Sequence, residues 1–195
     1  MDSLPQEAFP LPAPIRIDLR TGFLAEDTRI ERTSKTIAQM GHVFLDQNAR
    51  SLIDPATVVY VVEAWRPVPE GTEGGLYWGN TTVFPGVVGE EYFMTRGHFH
   101  LQRDRSEYYS TISGTGMLVL MDEQRRGSVQ PMEPGTTHYI PARSAHRVVN
   151  TGETPLTVLA CWPSDAGHDY TAIDEYGFSL RVIRRAGRPQ VQAQP

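Results

Sequence analysis

"GHFHLQRDRSE", residues 97–107, places two histidines one residue apart and a glutamate seven residues after the second. In an extended strand alternate side chains share a face, so His98 and His100 point the same way. The strand expected next, "EYYSTIS", brings Glu107, Tyr109 and Thr111 to one face by the same alternation. Thirty-nine residues beyond Glu107, "PARSAHRVVN" sets His146, Val148 and Asn150 in alternation again. If these strands line one barrel, three imidazoles and a carboxylate converge. Three neutral nitrogens and one oxygen suit a divalent transition metal with positions left open for water or substrate. A lone His-x-His is more often solvated or structural; the whole set is more specific.

The surrounding sequence supports a barrel. From Thr57 on, "TVVYVVEAW", "LYWGNTTVFPG", "EYFMTRGHFH", "EYYSTISGTGMLVLMD" and "PLTVLACWP" are rich in β-branched and aromatic residues and bounded by Gly, Pro, Asn or Asp. Short strands at such spacing predict an all-β sandwich or barrel. Upstream, residues 1–15 carry four prolines and read as an extended arm. Residues 31–46, "ERTSKTIAQMGHVFLD", have apolar residues at Ile37, Met40, Val43 and Phe44, a spacing that predicts one short helix. Near the end, "YTAIDEYG" suits one or two helical turns and "FSLRVIRR" a last strand. Residues 186–195 are polar and expected to fray. With 195 residues, one domain over 16–185 is the expectation.

Bulk properties narrow the function. The net charge of -5 argues against broad nucleic-acid or anionic-membrane surfaces. Lys35 is the only lysine and sits in a polar stretch, which leaves little scope for Schiff-base chemistry. Cys161, the only cysteine, falls in the apolar run "LTVLACW" and reads as core. No apolar run approaches the roughly 18 residues of a membrane span, and the N-terminus shows no signal pattern, so a cytoplasmic location is the default. His42 and His138 have no partner at ligand spacing and read as structural.

His-x-His, a glutamate in the next strand, Gly114, then Pro141, His146 and Asn150 together resemble the two-part signature of the cupins, small antiparallel β-barrels with a metal inside. Two features depart from the commonest cupin pattern. Six residues separate His100 from Glu107, where three or four are usual, and Arg143 stands where many cupins have glycine. Both fit one subfamily. "TRGHFHLQRDRSEYY", "MEPGTTHYIPARSAHRVVNTGETP" and above all "WPSDAGHDY" resemble the cupin-type glucose-6-phosphate isomerases, over about residues 16 to 185.

That resemblance implies metal ligands His98, His100, Glu107 and His146, and one divalent transition metal per subunit: Fe, Mn, Zn, Ni or Co. It implies a phosphate pocket at Tyr60, Thr81, Thr95 and Gly97, whose hydroxyls and backbone N–H are donors to a dianion. By alternation with Thr95, Arg96 is expected to face away from that pocket. The resemblance places His168 and Tyr170 at the barrel mouth beside the sugar, with Tyr109 also facing substrate. A histidine near pKa 6.5 suits proton transfer at neutral pH. Trp162 departs from the tyrosine common in relatives. The implied reaction interconverts glucose 6-phosphate and fructose 6-phosphate by a homodimer. Glu107 moves a proton between carbons 1 and 2, or a hydride shifts directly. An Fe(II) dioxygenase and a non-catalytic sugar-phosphate sensor are the alternatives on the same fold.

Overall fold

The computed structural model describes residues 11–194. The dominant element is the antiparallel strand: β1 (Ile30–Thr36), β2 (Val58–Trp65), β3 (Leu76–Val83), β4 (Val87–Val88), β5 (Glu91–Tyr92), β6 (Glu107–Ser113), β7 (Gly116–Asp122), β8 (Gly127–Met132), β9 (Thr137–Ile140), β10 (Ser144–Asn150), β11 (Leu156–Pro163), β12 (Leu180–Arg185) and β13 (Arg188–Ala193). The helices are short, α1 at Gln47–Ser51 and α2 at Thr171–Tyr176.

A six-stranded sheet runs β1-β2-β3-β11-β6-β9, a three-stranded sheet runs β10-β7-β8, and a four-stranded sheet runs β13-β12-β5-β4. Isolated bridges Met94↔Val149 and His98↔His146 tie the segment after β5 to β10. Alternation explains the layering. In β6, Glu107 and Thr111 are buried while Tyr108 between them is exposed. In β10 every residue from Ala145 to Asn150 is buried, so both of its faces are covered. The apolar residues between the sheets, among them Leu118, Met132, Ile140, Val148 and Val158, form one core. This is the all-β cupin barrel expected from the motif.

Three local expectations are corrected. Residues 31–36 are strand, paired with β2, and the helical content of 31–46 is a single 3-10 turn at Ile37–Met40. The helix-like spacing arises because Ile37, Met40, Val43 and Phe44 are all buried, from a turn and a loop rather than from one helix face. The polar end does not fray: β13 pairs with β12 from Leu180↔Ala193 to Arg185↔Arg188, a hairpin held by backbone bonds that need no apolar side chains. "EYFMTRGHFH" is regular strand only at Glu91–Tyr92; beyond it Met94, His98 and Phe99 make isolated bridges. Residues 1–10 of the proline-rich arm lie outside the described residues.

Candidate active site

The two halves of the histidine motif are clamped to each other by main chain. His98 N–H donates to the His146 carbonyl at 3.3 Å, and His146 N–H donates to the His98 carbonyl at 3.1 Å. Their rings lie 4.4 Å apart, and the His100 ring is 5.3 Å from His146. One ring nitrogen from each of His98, His100 and His146 falls within 4.8 Å of the others. Glu107 enters from β6, with Oε1 2.7 Å from His146 Nε2 and Oε2 3.8 Å from His100 Nε2.

The donor chemistry fits a cation. Despite their proximity, Glu107 Oε1 and His146 Nε2 are not aligned as a hydrogen bond, and both are buried without a partner. Unpaired buried polar atoms are costly, and a cation placed among them satisfies several at once. His100 Nδ1 lies 2.9 Å from the Arg105 carbonyl. A donated Nδ1–H there leaves Nε2 as the lone-pair nitrogen facing the cluster. Burial holds His98 well below the usual histidine value, and the neighbouring His146, His168 and His100 push it further down. Burial also lowers His100. Burial works to raise Glu107, but the His146 and His100 imidazoles outweigh it and the carboxyl ends below its usual range. All three groups are thus in ligand form at neutral pH, neutral imidazole and carboxylate.

These residues line a cavity of about 120 Å³ that is open to solvent. Tyr60, Thr81, Thr95 and Gly97 line the same cavity, as do Tyr109, His168 and Tyr170. Every site residue named from the sequence therefore borders one cavity. Burial pushes the Tyr60 hydroxyl up to about 12, so it is a proton donor throughout the neutral range. Gly97 has φ +74°, and a Cβ there would stand 2.6 Å from Phe178 Cε2, so only glycine fits.

Arg96 is corrected: it borders the cavity, with its guanidinium 4.0 Å from the Tyr170 ring centroid and ion-paired to Asp174. Alternation failed because residues 95–97 are not regular strand. His42 joins this surface group, its Nε2 3.1 Å from Asp174. His138 is buried and bonded to Thr136 Oγ1 and Gln130 Oε1, in the structural role expected of it. Cys161 is half-buried, and its thiol is pushed up by burial and by the charge of Glu107. Sequence reasoning missed Asn80 and Val62 on the cavity wall; neither carries a motif that would have revealed it.

His168 is placed by two motifs acting together. The "LQRDRS" loop between His100 and Glu107 docks onto "WPSDAGHDY". Arg105 grips Asp165 with two bonds of 2.9 and 2.7 Å, Arg103 pairs with Asp169, and Gln102 N–H donates to the Ala166 carbonyl. Between those anchors Gly167, at φ +59°, turns the chain so that the His168 ring lies 4.3 Å from His98 and stacks parallel to Tyr170. Burial lowers the His168 pKa, so the ring is a neutral base at pH 7. Trp162 borders the same cavity, edge-on to Tyr77.

The family model for glucose-6-phosphate isomerase (GPI) matches residues 34–194. The glucose-6-phosphate isomerase of Thermococcus onnurineus is 40% identical over 185 residues, 94% of this chain and 95% of its own. That of Pyrococcus horikoshii is 39% identical over 94% of this chain and 96% of its own. The putative glucose-6-phosphate isomerase 1 of Rhizobium meliloti is 38% identical over 88% and 80%. With a histidine and carboxylate cluster in a donor-lined cavity, and similarity along almost its whole length, this chain belongs to the glucose-6-phosphate isomerase family.

Proposed function

We propose that this protein is a metal-dependent aldose–ketose isomerase that interconverts glucose 6-phosphate and fructose 6-phosphate. The observation that carries the reading is a single cavity lined by two chemically distinct sets of groups. One set is His98, His100, His146 and Glu107, and the other is the hydroxyl and backbone donors of Tyr60, Thr81, Thr95 and Gly97. A phosphorylated sugar matches that pairing, with its phosphate on the donors and carbons 1 and 2 at the histidine cluster.

The four residues of the histidine cluster are the proposed ligands of one divalent cation, Fe, Mn, Zn, Ni or Co. When bound, such a cation supplies Lewis-acid polarisation of a carbonyl. The chain's own groups do the rest. The donors Tyr60, Thr81, Thr95 and Gly97 fix the phosphate, and that binding energy orients the reacting carbons. Glu107, ionised, takes the proton from carbon 2 of the open-chain aldose and returns it to carbon 1, through a cis-enediol. His168, neutral and open to the cavity, relays the hydroxyl proton and assists ring opening. Tyr109 and Tyr170 bind the sugar. Burial and the adjacent Glu107 push the Tyr109 hydroxyl well above its usual range, so it stays a donor. The reading extends to a cytoplasmic homodimer.

The test is a coupled assay from fructose 6-phosphate to glucose 6-phosphate, before and after chelation and with single metals restored. Turnover that is lost on chelation and returns with one or more metals is expected. Sugar-phosphate binding without turnover under every metal leaves a sensor instead, and oxygen uptake without isomerisation would indicate a dioxygenase.

A further inference from the structure

The cavity-lining segment at residues 95–97 has an unusual support behind it. Arg147 is 4% exposed. Among the described residues no carboxylate pairs with its guanidinium. Two of its nitrogens, Nε at 3.2 Å and Nη2 at 2.5 Å, donate to one acceptor, the Arg96 carbonyl. The guanidinium also lies 4.3 Å from the centroid of Phe178, the ring against which Gly97 packs. Arg147 does not itself border the cavity.

A buried cation without a counter-ion is expensive and is rarely kept for stability alone. Its hydrogen bonds fall on a functional peptide group. The Arg96 carbonyl and the Gly97 N–H belong to the same amide, and two charge-assisted bonds on the oxygen polarise the N–H into a stronger donor. Next along β10, Val148 N–H donates to Thr95 Oγ1 at 3.1 Å. With its oxygen engaged as acceptor, the Thr95 hydroxyl hydrogen is free for an anion. The strand that carries His146 thus also fixes and charges the donors of residues 95–97.

We infer that Arg147 is a positioning residue for a dianion: its uncompensated buried charge, delivered through the Arg96–Gly97 amide, selects phosphorylated over unphosphorylated sugars. The inference rests on the sugar-phosphate reading of the cavity. The incoming phosphate completes the charge balance that the fold leaves open, while a neutral sugar gains nothing from it. Asp174 already neutralises the other nearby cation, Arg96.

The test uses inorganic phosphate as a direct ligand and fructose 6-phosphate as substrate, on the metal-loaded enzyme. Arg147→Met should weaken phosphate binding by calorimetry, and raise KM, by roughly tenfold. Bound metal should be unchanged and kcat should stay within about threefold. Arg147→Lys keeps the charge but not the two-pronged contact and should fall between. If the Met variant does not fold, a Lys variant that binds phosphate as the wild type does overturns the inference. So does a Met variant that folds, binds phosphate normally and loses only kcat. Wild-type protein that binds no phosphate brings down the pocket reading together with the inference. Wild-type binding that both variants retain brings down the inference alone.

Discussion

Glu107 concentrates the chemistry of this site at a single residue. It is 5% exposed, lies beside two imidazoles, and carries a carboxyl held below its usual range. The same neighbours that make it a good ligand make it a weaker base, because the stabilisation they give the carboxylate is lost when it accepts a proton. Proton transfer through Glu107 and direct hydride shift differ in where the migrating hydrogen can go. With glucose 6-phosphate deuterated at carbon 2, the Glu107 route releases part of the label to water, and this partial loss in product fructose 6-phosphate is the expected outcome by NMR. Complete retention removes the base role. In that case Glu107→Gln should lower activity only in step with lost metal. Arg143, read from sequence as an odd substitute for glycine, has φ +62°, the left-handed conformation that makes glycine common there. Its N–H bonds the Arg103 carbonyl at 2.6 Å, tying the turn before β10 to the loop after His100.

At the scale of elements, the long connection between His100 and Glu107 and the "WPSDAGHDY" segment form one unit. Each is irregular, and neither has the apolar face needed to hold itself against the barrel. Ion pairs and backbone bonds between them supply the fixation instead. Arg105→Ala removes both bonds to Asp165 while leaving the Arg105 carbonyl that contacts His100. The pair is only partly buried and on the barrel's outer loops, where ion pairs contribute little to global stability, so the melting temperature and bound metal should barely move. The loss should appear as a drop in kcat of about tenfold, as His168 loses its fixed place beside His98. Unchanged kcat in the variant would mean that Gly167 and the Phe99–Asp169 bridge suffice to hold His168.

For the whole molecule, the buried histidines set the response to acid. Burial lowers His98, His100, His168 and His138 from the ordinary value near 6.5. As pH falls below that value, the unfolded chain takes up protons that the folded chain resists. Stability is therefore full above about pH 6.5 and is lost as pH falls toward the folded values. Metal-free protein should show a melting temperature that declines steadily from pH 7.5 to pH 5, followed by calorimetry. A flat profile over that range would mean that the imidazoles open to water and titrate normally. Among the described residues no helix is long and apolar enough to cross a membrane.

The local pattern of this chain was enough to state most of its strands and an all-β sandwich or barrel, and the motif resemblance made that an antiparallel barrel with a histidine and glutamate cluster. Alternation of side chains is a one-dimensional rule, and Glu107 with Tyr109, or His146 with Val148, obey it because regular backbone pairing enforces it. The signal failed where the backbone is irregular or where a remote partner decides. Arg96 came to border the cavity because residues 95–97 follow no strand geometry. The segment before Ile37 became β1 because β2 was there to pair with it. The 188–193 tail became a strand because β12 offered an edge. Most of all, no pattern in "SAHRVVN" marks Arg147 as different from any surface arginine. Its burial, its single carbonyl acceptor and its lack of a carboxylate partner come from what the rest of the chain packs around it. Electrostatic environment is a property of neighbours in space, and only the tertiary structure supplies those.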